Sequence, residues 1–228
     1  MNDIPIGPIR ESYDRLAKEY TNHLFHELAN KPFDRDLLDR FAAGVSGQVC
    51  DMGCGPGHVA RYVRDAGVNV FGLDLSTQML EQARQRNPDI HFREGNMLAL
   101  DLQESTLAGI TAFYATVNLP PESWPLVFRE MERVLQPNGL LLLAFHIGSE
   151  VTEVKELWGL PVSLNFFFVS ESVAKRHLES AGFRIEEVIQ RGPYPPEVEY
   201  QSQRAYIFAR KRGETQVSKA RPGPPTSH

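Results

Sequence analysis

The chain has 228 residues, 42% of them hydrophobic and 23% charged, with a formal charge of −5; this is enough to bury one good core. No apolar run approaches the roughly 20 residues of a membrane span. The acidic balance argues against a nucleic-acid partner, since residues from Lys211 onward carry a net positive charge and leave the body more acidic still.

The predicted elements alternate along the chain. Tyr13, Leu16, Tyr20, Leu24 and Leu28 recur at spacings of three and four, which predicts an amphipathic helix over 9–29. A second helix is expected from Pro32 or Asp34 to just short of Gly47, so that 1–46 form an N-terminal helical cap. A strand is predicted at 48–52, a helix at 58–66, a strand at 69–73 and a helix at 77–86 with Ser76 as its N-cap. A short strand at 90–93, a strand at 109–114, a helix at 123–135 and an apolar strand at 139–145 complete this series. Such alternation predicts right-handed βαβ units: a mostly parallel sheet with helices on both faces.

After Gly148 the pattern changes. Residues 149–169 are expected to form a lid-like insertion bearing Trp158, Phe166 and Phe168, and 170–181 a helix closed by Gly182. Two β-rich runs, 183–190 and 204–210, flank the turn-rich GPYPPEVEYQSQ and suggest an antiparallel final pair. A single domain over 1–210 is expected, with 211–228 disordered for want of periodicity. MNDIPIGPIR has no basic region followed by an apolar one, so no secretory signal is expected. Cys50 and Cys54 match no paired zinc pattern; no metal site is expected, and the compartment is expected to be the cytoplasm.

The chemistry begins at VCDMGCGPG, residues 49–57. Gly53, Gly55 and Gly57 stand where a strand gives way to a helix, a place where bare backbone lets a ligand approach the helix N-terminus. Dinucleotide sites use G-x-G-x-x-G, whereas here the third glycine comes one place early. Asp74, in VFGLDLS, is suited to accept hydrogen bonds from the vicinal hydroxyls of a ribose, or else is a helix N-terminal acid. Asn96, in REGNML, offers a side-chain oxygen to an exocyclic amine, or else forms a turn. Met79 and Met97 supply polarizable surface for an adenine, although Leu75 and Met79 taken singly read as core. The glycine loop, Asp74 and Asn96 each fall at the C-terminal end of a strand, the edge where open α/β sheets bind ligands.

In this order VCDMGCGPG, GLDLSTQML, REGNML and LQPNGLLLLAF resemble a class I S-adenosylmethionine-dependent methyltransferase over roughly residues 35–210. The resemblance implies a Rossmann-like seven-stranded sheet whose last strand is antiparallel, with S-adenosyl-L-methionine as cofactor. It implies that Asp51, Gly53, Cys54, Gly55 and Gly57 surround the methionine moiety and that Asp74 binds the ribose. Asn96, where the family more often has Asp, would face the adenine with Leu75, Met79 and Met97, and Phe113 would lie near the methionine end.

Methyl transfer to a small-molecule oxygen, nitrogen, sulfur or carboxylate nucleophile is the expected reaction, by in-line displacement. Tyr114, Asn118 and Trp124 are candidates for the acceptor pocket, with Tyr13 and Tyr20 from the first helix and Trp158, Tyr194 and Tyr200 from later segments. Glu197 and Glu199 would favour a cationic acceptor, or are simply solvated. His146 is a candidate base and equally a strand-end histidine bonded to backbone. An RNA or protein methyltransferase, a non-catalytic cofactor-binding module and a nicotinamide oxidoreductase are the competing readings. A monomer or homodimer without membrane partners is expected.

Overall fold

In the computed structural model, which describes residues 4–213, six helices and nine strands follow one another. The N-terminal part is helix α1 (Ile6–Leu24), a single 3-10 turn (Glu27–Asn30) and α2 (Pro32–Ala43), where Pro32 occupies the first turn and has no N–H to leave unpaired. The sheet then begins with β1 (Gln48–Met52), α3 (His58–Asp65), β2 (Asn69–Asp74), α4 (Thr77–Arg86) and β3 (His91–Glu94). Ser76 caps α4 by accepting the Met79 N–H at 3.1 Å. β4 (Leu107–Phe113), α5 (Trp124–Val134) and β5 (Leu135–His146) follow, then β6 (Val151–Leu157), β7 (Leu160–Phe167), α6 (Glu171–Ser180), β8 (Phe183–Arg191) and β9 (Arg204–Lys211).

Seven of these strands form one sheet in the order β3-β2-β1-β4-β5-β9-β8. The first five run parallel, while β9 is antiparallel to both β5 and β8. The expected mostly parallel sheet with an antiparallel last strand is the one observed. The order reverses between β1 and β4, and the crevice beyond their C-terminal ends is where an open α/β sheet receives a ligand.

β5 explains the unbroken apolar run GLLLLAF. Leu141, Leu143 and Phe145 pack into one core cluster with Trp124 and Phe128, and Leu140, Leu142 and Ala144 into the other with Phe41 and Val63. A strand covered on both faces has no polar side to alternate with.

Two sequence expectations need correcting, the start of β5 and the end of the ordered chain, and a third takes definite form. β5 starts at Leu135, not 139, because Leu135 already pairs with Leu107 ahead of a register shift. The 149–169 insertion is a two-stranded hairpin: Leu157 pairs with Leu160, and the intervening Trp158 and Gly159 both take positive φ, as a two-residue hairpin turn demands. Lys211 belongs to β9 and pairs with Phe183, and the Arg212 N–H donates to Gly182 O. The ordered chain therefore passes the expected limit at 210; the rest of the expected tail, 214–228, lies outside the described residues.

The hairpin and α1 roof the strand ends together. α1 lies against β7 and α4, with the Ser163 N–H donating to Ser12 Oγ at 2.9 Å and Arg15 Nη1 to Pro161 O at 2.7 Å. Among the described residues no helix is long and apolar enough to cross a membrane.

Candidate active site

The glycine loop hangs on the end of β2, since both the Gly53 and Cys54 N–H groups donate to Leu73 O, at 2.7 and 3.1 Å. Gly53, Gly55 and Gly57 all take positive φ (69°, 51° and 84°), yet their bare backbones face different things. A Cβ on Gly53 would fall 2.6 Å from that of Ala115, and one on Gly57 would fall 2.7 Å from Phe92. On Gly55 it would meet only the Tyr20 ring, at 3.8 Å. Gly53 and Gly55 border the cleft at the strand ends, although a Cβ on Gly53 would also strike Ala115, while Gly57 does not border it and is pressed against Phe92 where the chain turns into α3.

Asp51 stands behind the loop. It accepts from Thr111 Oγ1 at 2.8 Å and from the Ala60 N–H at 3.0 Å, so it ties β1 to β4 and to the first turn of α3. Burial raises its carboxyl to about 6 against the pull of Thr111, His58 and the Ala60 N–H. Cys54 turns its sulfur inward toward Gly72. Both residues border a small recess with Glu27 and His58, beside the main cleft and not in it.

The main cleft runs from the loop across the ends of β1, β2 and β4. Gly53, Gly55, Asp74, Leu75, Met79, Asn96, Met97 and Phe113 line it, and Ile6, Ile9, Tyr13 and Tyr20 of α1 close it from above. Asp74 accepts the Gly55 N–H on Oδ2 at 2.8 Å and the Ser76 N–H on Oδ1 at 2.9 Å, leaving a lone pair on each oxygen for a ligand. Burial raises its pKa, partly offset by those N–H groups. Asn96 uses its oxygen in a turn, accepting the Leu98 N–H at 2.9 Å, while its side chain still borders the cleft. The cofactor that the resemblance implies fits here: bare glycine backbone, a carboxylate with spare acceptor capacity and apolar walls of Leu75, Met79 and Met97 share one crevice.

Tyr13, Tyr20 and Tyr114 border this cleft and also a second cavity of about 360 Å³. Its walls come from α1, the hairpin (Val154, Trp158, Phe166), Phe168 and the 198–204 segment. Trp158 stacks on His23 with ring centroids 4.7 Å apart and meets Tyr20 edge-on at 5.9 Å, so the hairpin tip is clasped by α1. Tyr114, at φ 54° in a region that non-glycine residues seldom occupy, sends its hydroxyl to Tyr206 at 3.2 Å; Tyr206 in turn donates to Asp34 at 2.9 Å.

His146 also borders this second cavity. Its Nδ1 is 2.7 Å from Ser202 Oγ and its ring lies against those of Tyr114 and Phe168. Burial, reinforced by the Arg204 guanidinium, pushes its pKa down to about 3. That holds the imidazole neutral and makes it a poorer proton acceptor than an ordinary histidine.

Three other candidates do not reach the second cavity. Trp124 is fully buried with Phe128 and Phe145, its Nε1 donating to Leu119 O at 3.2 Å. Tyr194 accepts the Phe33 N–H at 3.0 Å and lies beneath the Arg191 guanidinium. Asn118 borders the cofactor cleft instead, accepting from Tyr13 Oη at 2.6 Å and donating to Asn165 O at 2.9 Å, so it pins α1 to β7.

Glu199 is neither solvated nor available to a cation. Arg191, Arg204, Lys31 and the Tyr194 N–H all converge on it. Burial raises its carboxyl, but these partners outweigh that and leave its pKa below the usual carboxylate value. Glu197 is exposed. Sequence reading missed Lys31, Asp34, Arg191, Arg204 and Tyr206. Lys31 to Glu199 and Asp34 to Arg191 and Tyr206 are long-range pairs. Glu27 and Lys31, 2.6 Å apart, are a local i,i+4 pair. Glu199 is close in the chain to Arg191 and Arg204, but at no helical spacing that would announce the cluster.

Residues 49–139 match the family described as "Methyltransferase domain". A malonyl-[acyl-carrier protein] O-methyltransferase from Pectobacterium atrosepticum is 32% identical over 66% of this chain and 57% of its own length. A demethylmenaquinone methyltransferase from Beutenbergia cavernae is 29% identical over 58% of this chain and 55% of its own. The chain thus spans well under two thirds of these relatives. An S-adenosylmethionine-dependent methyltransferase from Leishmania major superposes with a TM-score of 0.70 at 16% identity, over 89% of this chain and 82% of that one, a likeness of fold.

Proposed function

We propose that this chain, whose residues 49–139 match a methyltransferase domain, is a class I S-adenosylmethionine-dependent methyltransferase that methylates a small organic acceptor bound in the second cavity. One observation carries the reading: Tyr13, Tyr20 and Tyr114 border both spaces, so an acceptor beside them adjoins the cofactor cleft. A non-catalytic binding module would need no such room. The acidic body gives no support to an RNA substrate.

The cofactor, when bound, supplies an activated methyl group on a sulfonium. Asp74 would hold the ribose, Asn96 with Leu75, Met79 and Met97 the adenine, and Gly53, Gly55 and Phe113 the methionine end. Asp51 would act indirectly by fixing the loop. The work left to the protein is positioning and exclusion of water, which α1 and the β6–β7 hairpin would provide as a joint lid. Tyr114 and His146 would orient the acceptor, the neutral imidazole as a hydrogen-bond partner.

The test is a metabolite screen of the full chain with methyl-labelled S-adenosylmethionine, read by mass spectrometry, alongside calorimetry with S-adenosylhomocysteine. Label in a small product and micromolar binding are expected. Absence of S-adenosylhomocysteine binding would overturn the reading, and label confined to RNA or protein would redirect it.

A further inference from the structure

We infer that the acceptor carries a carboxylate on an apolar or aromatic body, and that Arg204 and Lys31 hold this carboxylate in the second cavity. The inference rests on the proposed function and adds the chemical class of the substrate to it.

The argument is a count of donors against acceptors. Arg204 borders the cavity, and its side chain is only 3% exposed. Its Nη1 donates to Tyr200 O, Ser202 O and Ser202 Oγ at 3.0–3.2 Å. Its Nε is buried 3.3 Å from Glu199 Oε2 but lacks the alignment of a hydrogen bond. Its Nη2 meets no acceptor among the described residues. A guanidinium carries five N–H donors, and one buried with several unpaired is costly unless a ligand completes it.

Lys31, also bordering the cavity and 5% exposed, gives one proton to Glu27 at 2.6 Å and stands 3.5 Å from Glu199. Its third N–H has no acceptor among the described residues.

The acids on the same wall do not cancel this surplus. Glu199 is saturated from behind by Arg191 and the Tyr194 N–H. Glu27 gives one oxygen to Lys31 and the other to His58, at 3.0 Å, and these partners override burial to hold its pKa at about 2. What remains unpaired on the cavity wall is donor capacity on Arg204 Nη2 and Lys31 Nζ, framed by Tyr114, Phe166, Phe168 and Trp158. Charged donors beside an aromatic wall suit a carboxylate on a ring or apolar chain.

This carboxylate is the handle and not the nucleophile. Its lone pairs point into the guanidinium, so the atom that takes the methyl group is a second group on the same molecule. That group reaches the three tyrosines bordering the cofactor cleft.

The experiment is calorimetry on the full chain saturated with S-adenosylhomocysteine. The probes are two matched sets: 4-hydroxybenzoate, 4-hydroxybenzamide and 4-hydroxybenzylamine, and 2-naphthoate with 2-naphthamide. Each acid is expected to bind at least tenfold more tightly than its amide, with the amine weakest. Arg204→Gln should abolish that preference and Lys31→Gln should reduce it. Retained S-adenosylhomocysteine affinity reports that each variant is folded. Should Arg204→Gln fail this check, Arg204→Lys keeps the charge without the guanidinium and is expected to lose the acids at least tenfold.

Equal binding of acid and amide, a preference for the amine, an acid preference that survives both substitutions, or no acid bound at millimolar concentration would each overturn the inference while leaving the proposed function standing. Failure of S-adenosylhomocysteine to bind at all would instead be the failure of that function.

Discussion

The cofactor cleft and the acceptor cavity meet at Tyr13, Tyr20 and Tyr114 but draw on different parts of the chain. Half of the cleft comes from one stretch, 53–97, through backbone, apolar side chains, one amide and one carboxylate at or just past strand ends. The acceptor cavity gathers α1, Lys31, the β6–β7 hairpin and the 198–204 segment, and its polar groups are long side chains held by one another. Backbone geometry therefore sets the first site and a buried ion network the second. The two should fail independently, the second at a greater cost in stability.

The sharpest break is Glu199→Ala. It leaves Arg191, Arg204 and Lys31 without their shared partner, and loss of one member of a buried ion network costs about 3–5 kcal/mol. Urea unfolding should register that loss, while S-adenosylhomocysteine affinity of the folded variant stays within a few-fold. An equal collapse of cofactor affinity would show that the two sites are one unit.

Asp74→Ala is the reciprocal change. It should weaken S-adenosylhomocysteine by about 1.5–3 kcal/mol for each charged hydrogen bond lost. The relative preference among acceptor probes should survive it, and unchanged calorimetric affinity would sink the ribose assignment.

The smallest effect is a pH dependence. The His146 pKa is depressed to about 3 in the folded chain, so below about pH 6.5 the unfolded chain takes up a proton that the folded one refuses. This contribution to stability is complete above 6.5 and is lost as the pH falls toward 3, by about 1.4 kcal/mol per unit. The raised pKa of Asp51 works the other way below about 6, but it is common to the wild type and His146→Gln and cancels in their difference. Denaturation at pH 6 and pH 5 should show the wild type losing more than the variant. Parallel losses would mean that His146 is not buried as described.

How much of this was legible follows the same division. The sheet could be read because β5 is apolar on both faces and the helices between strands announce themselves by periodicity. The cleft could be read because a turn into a helix and the next strand's terminal acid lie close together in sequence. Local spacing does not tell a glycine that borders the cleft, such as Gly55, from one pressed against Phe92, as Gly57 is. Trp124 and Tyr194 look like pocket aromatics in the sequence, and only their packing sends one into the core and the other beneath Arg191.

The sequence by itself determined the parallel sheet and the edge of it where the glycine loop and Asp74 stand, because these depend on periodicity and on neighbours a few residues apart. The tertiary structure decided the rest. It paired Lys31 and Arg204 around Glu199, set Trp158 between Tyr20 and His23, and made His146 a neutral imidazole. Several of these contacts join residues more than a hundred positions apart, Lys31 with Glu199 and Tyr20 with Trp158 among them, and no local pattern encodes which of them will meet.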